Sequence, residues 1–314
     1  MKRVFFVVGP TATGKSEIAA ELACRLNAEI VSADAFQIYR GLDRLTAKPE
    51  KTTLAKAPHH LLGSVPLSEE MNAEKFRAAA LEAIRDIQTR GKEAIVVGGS
   101  GLYLKSLTHG LSRLPPADAA LRKELDQATV EELHARLHKL DPEGARKIDH
   151  RNKRRLLRAL EICLLSGEPF SAQRTQWSGA SHSEAATADG MVKAGVFVFR
   201  ERAELYRRID RRVEEMFADG VVEEVRALPD LGSTAEKTLG LREIRALLAG
   251  EISETECIAR IQQGTRHYAK RQLTWFQRQD SFEPLNLSSH GYPEAIELMI
   301  AQTPKAFGVA HRDV

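Results

Sequence analysis

The chain has 314 residues, of which 43% are hydrophobic and 28% are charged, and its formal net charge is +3. This composition excludes a disordered chain, and the small net charge means that any nucleic-acid surface must come from a local cluster of basic residues. The three cysteines, Cys24, Cys163 and Cys257, form no C-x-x-C pair, which argues against a zinc knuckle or a disulfide scaffold.

The first half of the chain alternates predicted strands and helices. An apolar strand is predicted at about residues 3–8, and this run is far too short for a signal peptide or a membrane span, so we expect a cytoplasmic protein without membrane contact. Residues 15–26 have the pattern of a helix and "AEIVSAD" that of a second strand, which together predict a βαβ unit with a parallel sheet. A periodic helix from about Asn72 to Arg90 leads to a third strand, "EAIVVGG".

The strand pattern then stops and returns only at "VKAGVFVF". Between these points the chain has the pattern of helices followed by a Ser/Ala-rich loop, and after the returning strand long helices fill the rest. We therefore predict an α/β fold in which residues 1–112 and 191–314 form a P-loop NTPase-like parallel sheet core with C-terminal helices. Residues 113–190 are predicted to form an inserted helical domain.

The stretch "GPTATGKS" joins the first strand to the first helix with the spacing G-x-x-x-x-G-K-[ST] of a phosphate-binding loop. Backbone N–H groups of such a loop surround a phosphate, Lys15 adds positive charge, and the Ser16 hydroxyl can bind Mg²⁺. The positive end of the following helix points at the same anion. The predicted phosphate-binding residues are Gly9, Pro10, Thr11, Ala12, Thr13, Gly14, Lys15 and Ser16. The motif does not identify the ester, since any diphosphate presents the same oxygens.

Two polar side chains follow neighbouring strands of the predicted sheet. Asp34 stands where the second strand ends, and the carboxyl ends of parallel strands are where open α/β sheets bind ligands. Its carboxylate can equally cap a turn or bind Mg²⁺ through water. Ser100 lies in "GGSGLYLKSL", a second glycine-rich turn after the third strand, which alone predicts only a flexible turn opening a helix. This strand does not end in the aspartate that a Mg·ATP hydrolase often has there.

The predicted insertion contains a basic segment, "RKIDHRNKRRLLRALEI". A solvated helix face explains such a run equally well when it stands alone. Beside a phosphate site, a second basic surface predicts a polyanionic substrate.

Taken together, these motifs resemble those of the tRNA dimethylallyltransferases, also called tRNA isopentenyltransferases. The resemblance covers nearly the whole chain and includes, in order, "GPTATGKS", "SADAFQIYRGLDRLTAKP", "HHLL", "VVGGSGLYLKSL", "LPPADAALR", "RRLLRALEI", "RAELYRRIDRRVEEM", "KTLGLREI" and "TRHYAKRQLTWFQR". It implies transfer of a dimethylallyl group from dimethylallyl diphosphate to N6 of adenosine 37 in the anticodon loop of tRNA. The phosphate of the loop would then belong to a leaving group, with Mg²⁺ as cofactor. We expect a monomer whose partners are tRNA, through its anticodon stem-loop, and dimethylallyl diphosphate.

The resemblance also implies roles for particular residues. Asp34 is the implied general base, Ser100 is a second catalytic residue, and Arg202 supports the diphosphate. The residues implied in tRNA binding are Asp34, Ala35, Phe36, Gln37, Ser100, Arg122, Arg154, Arg155, Leu156, Leu157, Arg158, Lys237, Gly240 and Arg242. The sequence departs from the family pattern at Ser100, where threonine is more frequent, and at Arg44, Leu45, Leu241 and Glu243. Arg155 is turned about 100° from Arg154 and Arg158 on a helix, so two roles stay open for it: contact with a phosphate, or coverage of apolar surface by its stem.

Three other functions use parts of the same pattern. A small-molecule kinase would bind Mg·ATP in the loop and need a lid smaller than this insertion. Prenyl transfer to free adenine nucleotides is a related function, but the long insertion and "TRHYAKRQ" favour tRNA as the acceptor. A non-catalytic RNA-binding protein would need neither the phosphate loop nor Asp34.

Overall fold

The computed structural model describes residues 2–111, 114–173 and 191–307, and its centre is a parallel sheet of six strands. The strands are β1 (Lys2–Val8), β2 (Ala28–Ala33), β3 (His59–His60), β4 (Glu93–Gly98), β5 (Met191–Phe199) and β6 (Glu283–Asn286). They lie in the order β3-β2-β4-β1-β5-β6, and every neighbouring pair is parallel. The predicted α/β fold class is therefore confirmed.

Fourteen helices accompany the sheet in the described part of the chain. Those before the second glycine-rich turn and directly after it are α1 (Lys15–Arg25), α2 (Lys51–Leu54), α3 (Ala73–Thr89) and α4 (Gly101–His109). The next five are α5 (Ala119–Leu125), α6 (Val130–Leu140), α7 (Pro142–Lys147), α8 (Lys153–Ser166) and α9 (Phe170–Gln173). The last five are α10 (Arg202–Ala218), α11 (Val221–Arg226), α12 (Leu241–Leu248), α13 (Glu254–Phe276) and α14 (Tyr292–Phe307).

The apolar run of β1 is buried on both faces of the sheet. Val4, Phe6 and Val8 belong to one hydrophobic cluster, and Phe5 and Val7 belong to the other, all with no exposed surface. Side chains alternate between the faces of a strand, and a parallel sheet is covered by helices on both sides, so a central strand must be apolar at every position. This burial explains why "VFFVV" is continuous and not alternating.

The chain divides into two compact units. The first comprises the described residues of Met1–Thr108 and Glu184–Val314 and contains the sheet, and the second comprises those of His109–Ser183. The second unit has its own apolar core, built around Leu125, Leu133 and Leu160 on three helices. The Ser/Ala-rich loop predicted near residues 174–190 lies outside the described residues.

The sequence patterns did not predict two short strands. β3 has only two residues, and β6 carries a proline in a four-residue run, "EPLN". The prediction that helices fill the chain after the fourth long strand was wrong at β6. Both strands lie at the edges of the sheet, where a short strand and a proline are tolerated because one side needs no partner. Among the described residues, no helix combines the length and the apolar character needed to cross a membrane.

Candidate active site

The phosphate loop connects β1 to α1 and presents the uncapped start of that helix. Gly14 is the N-cap residue with φ of +92°, and no side chain caps the first turn. The backbone N–H groups there have no carbonyl partner within the helix, and together with the helix dipole they form an anion site. A Cβ on Gly14 would lie 2.1 Å from the Tyr292 hydroxyl, so only glycine fits this position.

Within the loop, side chains bond back to the loop's own backbone. The Thr13 hydroxyl is buried and donates to the Pro10 carbonyl at 2.9 Å, so it braces the loop and does not face a ligand. The Lys15 ammonium donates to the same carbonyl at 3.2 Å. Burial lowers the pKa of Lys15 and Arg212 adds to this effect, while the negative charge of Asp34 opposes it. An anion bound at the loop would supply the opposite charge that this lysine needs.

Three arginines contact the loop, and sequence reasoning identified none of them. Arg200 donates from Nε to the Thr13 carbonyl at 2.8 Å, and Arg208 donates from Nε to the Ala12 carbonyl at 2.8 Å. Arg212 donates from Nη2 to the Thr11 hydroxyl at 2.8 Å. Arg208 and Arg212 are four residues apart on α10, a spacing visible in "YRRIDRRVEEM" that predicts a shared face. That spacing indicates that the two side chains lie together, but it does not indicate which loop they contact.

Arg202, the arginine expected at the diphosphate, lies elsewhere on α10. It is exposed at the start of the helix, and its guanidinium is 5.2 Å from the centre of the Tyr206 ring. The contacts to the loop come from the other three arginines instead. Its predicted role at the diphosphate stays a prediction.

Arg212 has an unused donor beside the loop. Its Nε is buried and has no hydrogen-bond partner among the described residues. Burial lowers the pKa of this guanidinium, and the charges of Asp34 and Glu17 oppose the shift. A buried charged donor without a partner is costly, and a phosphate oxygen would satisfy it.

Asp34 follows β2 and uses one carboxylate oxygen to shape its own turn. Oδ1 accepts from the backbone N–H groups of Phe36 at 3.0 Å and Gln37 at 3.3 Å. The turn-capping role considered for this residue is therefore present. Oδ2 has no hydrogen-bond partner in the part of the chain that the structure describes, so one oxygen can take a proton from a substrate.

Ser100 is joined to the residue next to Asp34. Its hydroxyl oxygen accepts from the Ala35 N–H at 2.9 Å, and its own N–H donates to the Ala33 carbonyl at 3.3 Å. These two bonds hold the second glycine-rich turn against the end of β2. Tyr268 lies beside both side chains: burial raises the pKa of its phenol, the charge of Asp34 adds to the rise, and the Ser100 hydroxyl opposes it.

Two pockets meet at Asp34. The larger has a volume of about 530 Å³, including space open to solvent, and it carries Thr11, Arg212 and Tyr268 beside an apolar wall. The smaller, of about 350 Å³ by the same measure, is lined by Lys15, Ser16 and Asp34. Phe36, Leu45, Thr46, Val213, Met216, Thr238, Leu239, Ile261 and Thr265 complete the larger pocket. The phosphate loop therefore borders both pockets, and Asp34 is common to them.

Gln37 lines the smaller pocket, and two backbone carbonyls fix its side-chain amide. Its Nε2 donates to the carbonyls of Thr46 at 3.1 Å and Ala47 at 3.0 Å. Both of its amide protons are thus occupied, and its Oε1 faces no donor among the described residues. An acceptor beside Asp34 suits a substrate that presents an N–H group.

The stretch "KTLGLREI" begins α12 with a glycine. Gly240 has φ of +90° and is the N-cap of that helix, while Lys237 and Arg242 are exposed beside it. Leu241, one of the departures from the family pattern, is 1% exposed and packs in the larger apolar cluster. That side chain therefore serves packing and is not available to a ligand.

In the helical unit, Glu161 organises the basic residues. Its buried carboxylate accepts from Arg122 at 2.9 Å, from Arg158, and from the backbone N–H of Asp118 at 2.7 Å. Burial opposes ionisation of Glu161, but these partners outweigh it and lower its pKa. Arg158 also donates to the Pro115 carbonyl at 2.7 Å. Arg122 and Arg158 therefore have a structural partner inside this unit.

The burial of the other α8 residues bears on their predicted roles in tRNA binding. Leu156 is completely buried in the core of the helical unit, so its side chain cannot contact tRNA. Leu157 is half-buried against that core. Arg154 and Arg155 are both exposed at the start of α8, which favours the phosphate-contact alternative for Arg155, and Arg158 is the arginine with an internal partner.

A divalent cation would find few protein ligands here. The described residues contain no group of three or more His, Cys, Asp or Glu side chains placed to hold a metal. The Ser16 hydroxyl, which lies in the smaller pocket, nevertheless fits Mg²⁺. This ion keeps several waters and is usually held by one or two protein oxygens plus phosphate oxygens.

The fold and these side chains define an α/β protein of the P-loop type, with a phosphate loop, three arginines in contact with that loop, and a carboxylate that lines two pockets. The family model described as IPP transferase matches residues 37–279, and the chain belongs to that family. The predicted family and the predicted enzyme class, a prenyltransferase, are thereby confirmed.

Individual relatives are similar to this chain over most of their length. The tRNA dimethylallyltransferase of Akkermansia muciniphila is 43% identical over 291 residues, covering 93% of this chain and 96% of that protein. That of Geobacter metallireducens is 46% identical over 284 residues, covering 88% and 90%. Among solved structures, the tRNA isopentenylpyrophosphate transferase of Bacillus halodurans is similar with a TM-score of 0.69 at 32% identity, covering 98% of both chains. A eukaryotic dimethylallyltransferase acting on tRNA is similar with a TM-score of 0.79 at 25% identity, covering 100% and 81%.

Proposed function

We propose that this protein transfers a dimethylallyl group from dimethylallyl diphosphate to N6 of adenosine 37 in tRNA and releases diphosphate. The observation that carries the proposal is the position of Asp34, which lines both pockets beside the phosphate loop. A transfer between two substrates needs a base where the attacking nitrogen meets the carbon that loses its leaving group. The bond from the allylic carbon to oxygen breaks with its electron pair on the diphosphate, and the bond from that carbon to N6 forms.

The phosphate loop supports the departure of the diphosphate. Negative charge grows on the leaving oxygens, and the N–H groups at the start of α1, Lys15 and Arg212 converge on the site where it develops. The buried Nε of Arg212 gains its partner there. Mg²⁺, bound through Ser16 and the diphosphate oxygens, would supply further neutralisation of this charge. None of this requires phosphoryl transfer.

Asp34 receives the proton that N6 loses. The exocyclic amine of adenine is a poor nucleophile, so a positioned carboxylate must remove its proton as the new bond forms. Oδ1 is held by the turn, and Oδ2 is left to act as the base. The adenine must leave its stack to reach this oxygen, at a cost of about a few kcal/mol that is smaller in a loop than in a duplex.

For the rest of the tRNA, the exposed basic residues are the proposed phosphate contacts. In the helical unit these are Arg154 and Arg155, and in the first unit they are Lys237 and Arg242. Arg122 and Arg158 share one carboxylate, so together with Glu161 they keep a net charge of one and can meet a phosphate with their remaining N–H groups. The monomeric state and the cytoplasmic location stay predictions of the sequence.

The test is a direct assay of the product. The protein is incubated with labelled dimethylallyl diphosphate, Mg²⁺ and bulk tRNA, and the tRNA is digested so that the modified nucleoside can be identified. We expect label in N6-dimethylallyladenosine from position 37. A parallel reaction with AMP in place of tRNA tests transfer to free nucleotides, and one with labelled ATP tests the kinase alternative. Label in AMP alone, or phosphoryl transfer without prenyl transfer, would refute the proposal.

A further inference from the structure

One face of α13 contacts three successive residues of the second glycine-rich turn. Tyr268, Gln272 and Trp275 are spaced by four and three residues and so share a side of the helix. Tyr268 lies beside Ser100, and Gln272 donates from Nε2 to the Gly99 carbonyl at 2.9 Å. Trp275 packs so closely that a Cβ on Gly101 would lie 2.8 Å from its ring. The turn therefore takes its position from this helix.

Gln272 also reaches the phosphate loop. Its Oε1 accepts from the Thr11 N–H at 2.9 Å, across 261 residues of chain, and the side chain is buried. The orientation of the amide follows from its partners, because a backbone N–H only donates and a carbonyl only accepts. Gly99 has no room for a side chain, since a Cβ there would lie 2.4 Å from the Gln272 Nε2 and 2.8 Å from the Gly9 carbonyl. One side chain thus connects the two glycine-rich turns.

The two turns belong to opposite sides of the reaction. On one side, the Thr11 hydroxyl accepts a hydrogen bond from Arg212, and both residues line the larger pocket next to the phosphate loop, where the diphosphate is proposed to leave. On the other side, Ser100 accepts from the N–H of Ala35, the residue after the Asp34 base. The distance between these two sides decides whether the allylic carbon, the leaving oxygen and the amine align, and a displacement of about 1 Å can cost about a hundredfold in rate.

We propose that Gln272 is a positioning residue that fixes the spacing between the phosphate loop and the Asp34 base. The inference rests on the proposed function, because it assigns Gln272 to the same transfer. Gln272 acts through Thr11 and Gly99 and has no assigned contact with a substrate. Its effect should therefore fall on kcat, while the affinity for tRNA stays unchanged.

Two substitutions separate hydrogen bonding from packing. Gln272→Met keeps the length of the side chain and removes both bonds. Gln272→Glu can make both bonds when its carboxyl is protonated, since the hydroxyl donates to Gly99 and the carbonyl oxygen accepts from Thr11. As a carboxylate it loses the donor and faces the Gly99 carbonyl with negative charge. Burial raises the pKa of such a carboxyl, which brings its titration toward neutral pH. Gln263→Met, at an exposed position of the same helix, is the matched control.

The experiment measures single-turnover transfer and tRNA affinity from about pH 6 to about pH 8, each variant normalised to wild type. We expect Gln272→Met to lose about ten- to a hundredfold in rate at every pH with tRNA affinity within about twofold. For Gln272→Glu we expect the normalised rate to rise as the pH falls, and for Gln263→Met no change. Thermal melts at each pH identify loss of folding, and the rate of Gln272→Glu is corrected for the folded fraction, because a buried carboxyl with a raised pKa also lowers stability as the pH rises. The pH response of this corrected rate decides the matter if Gln272→Met is unstable.

Two results would overturn the inference while leaving the proposed function intact. One is a normal rate for Gln272→Met in the presence of an active wild type. The other is a normalised rate of Gln272→Glu that does not change with pH. A wild type that transfers no prenyl group overturns the proposed function itself, and the role of Gln272 with it.

Discussion

Removing the two exposed arginines at the start of α8 tests whether the helical unit binds tRNA. Arg154 and Arg155 are both exposed, and neither side chain makes an ion pair among the described residues. Arg155 does carry a backbone bond to the Asn152 cap, but Ala keeps that N–H. Because Ala is also the best helix former, Arg154→Ala/Arg155→Ala should fold and melt as wild type does.

The size of the effect follows from counterion release. Each lost contact to a phosphate should lower the log–log slope of affinity against salt by about 0.7, so two contacts lower it by about 1.4. Over a fourfold rise in salt, from about 50 to about 200 mM, this amounts to about a sevenfold smaller loss of affinity for the double variant than for wild type. The single-turnover rate on saturating tRNA should change little, because these arginines are assigned to binding and not to chemistry.

Anisotropy titrations with labelled tRNA over this salt range provide the measurement. Arg136→Ala/Lys139→Ala, at exposed positions on α6, removes the same charge from the same unit and is the matched control. We expect a smaller change of slope from the control pair. If the Arg154/Arg155 variant is folded and keeps the wild-type slope, the reasoning is refuted and this segment is an ordinary solvated helix face.

Arg158 should behave in the opposite way. Its guanidinium is bound to the buried carboxylate of Glu161, so Arg158→Ala removes one of the bonds that compensate a buried charge. We expect a loss of about 1.5 to 3 kcal/mol in the free energy of unfolding, the range for hydrogen bonds to charged groups. Denaturant melts of Arg158→Ala and Arg155→Ala separate the two roles, and an unchanged midpoint for Arg158→Ala would contradict the assignment.

Three further predictions concern the other unit. Asp34→Asn keeps the side-chain size but removes the base, so turnover should fall by about a hundredfold or more with tRNA affinity nearly unchanged, and near-normal turnover would argue against Asp34 as the base. Lys15→Ala should slow single-turnover transfer more than it weakens tRNA binding, because its ammonium faces the loop; the reverse pattern would mean that the loop holds another ligand. Glu29 is buried, and its hydrogen bond to Arg90, with bonds to His60 and Lys92, holds its pKa well below the ordinary value. Its contribution to stability is complete well above the ordinary carboxyl pKa of about 4.3 and is lost only as the pH falls to the lowered pKa. The difference in melting temperature between wild type and Glu29→Gln should therefore begin to shrink below about pH 4 and close only as the pH approaches that lowered pKa.

Local sequence patterns predicted those parts of the site that are formed by residues close together in the chain. The phosphate loop is contiguous, and its strand and helix carry their own periodicity, so Gly14, Lys15 and Ser16 could be located from spacing alone. Asp34 followed from its place at the end of a strand. Short edge strands such as β3 and β6 carry too few residues for a period and take their structure from the neighbouring strand.

Contacts between distant parts of the chain were not predictable in this way. Arg208 and Gln272 reach the loop across 196 and 261 residues, and no local pattern records which helix packs beside which loop. The internal partner of Arg158 on α8 was not predicted for a different reason. Counting charges in "RRLLRALEI" identifies the arginines, but it does not reveal that Glu161 is buried and binds Arg158 three residues away.

The contacts of the loop explain how a phosphate motif can serve a reaction that transfers no phosphoryl group. Carbonyls of Pro10, Ala12 and Thr13 accept from Lys15 and from two arginines, and these bonds fix the peptide planes of the loop. With these carbonyls occupied by cations, the N–H groups at the start of α1 remain for an anion, whatever that anion is attached to. The type of reaction is then determined by the residues outside the loop that act on the second substrate. Here they include a carboxylate with one unengaged oxygen, which can take a proton from an attacking amine as well as from a hydroxyl. The choice of prenyl transfer over phosphoryl transfer therefore comes from the family to which the chain belongs and not from the loop.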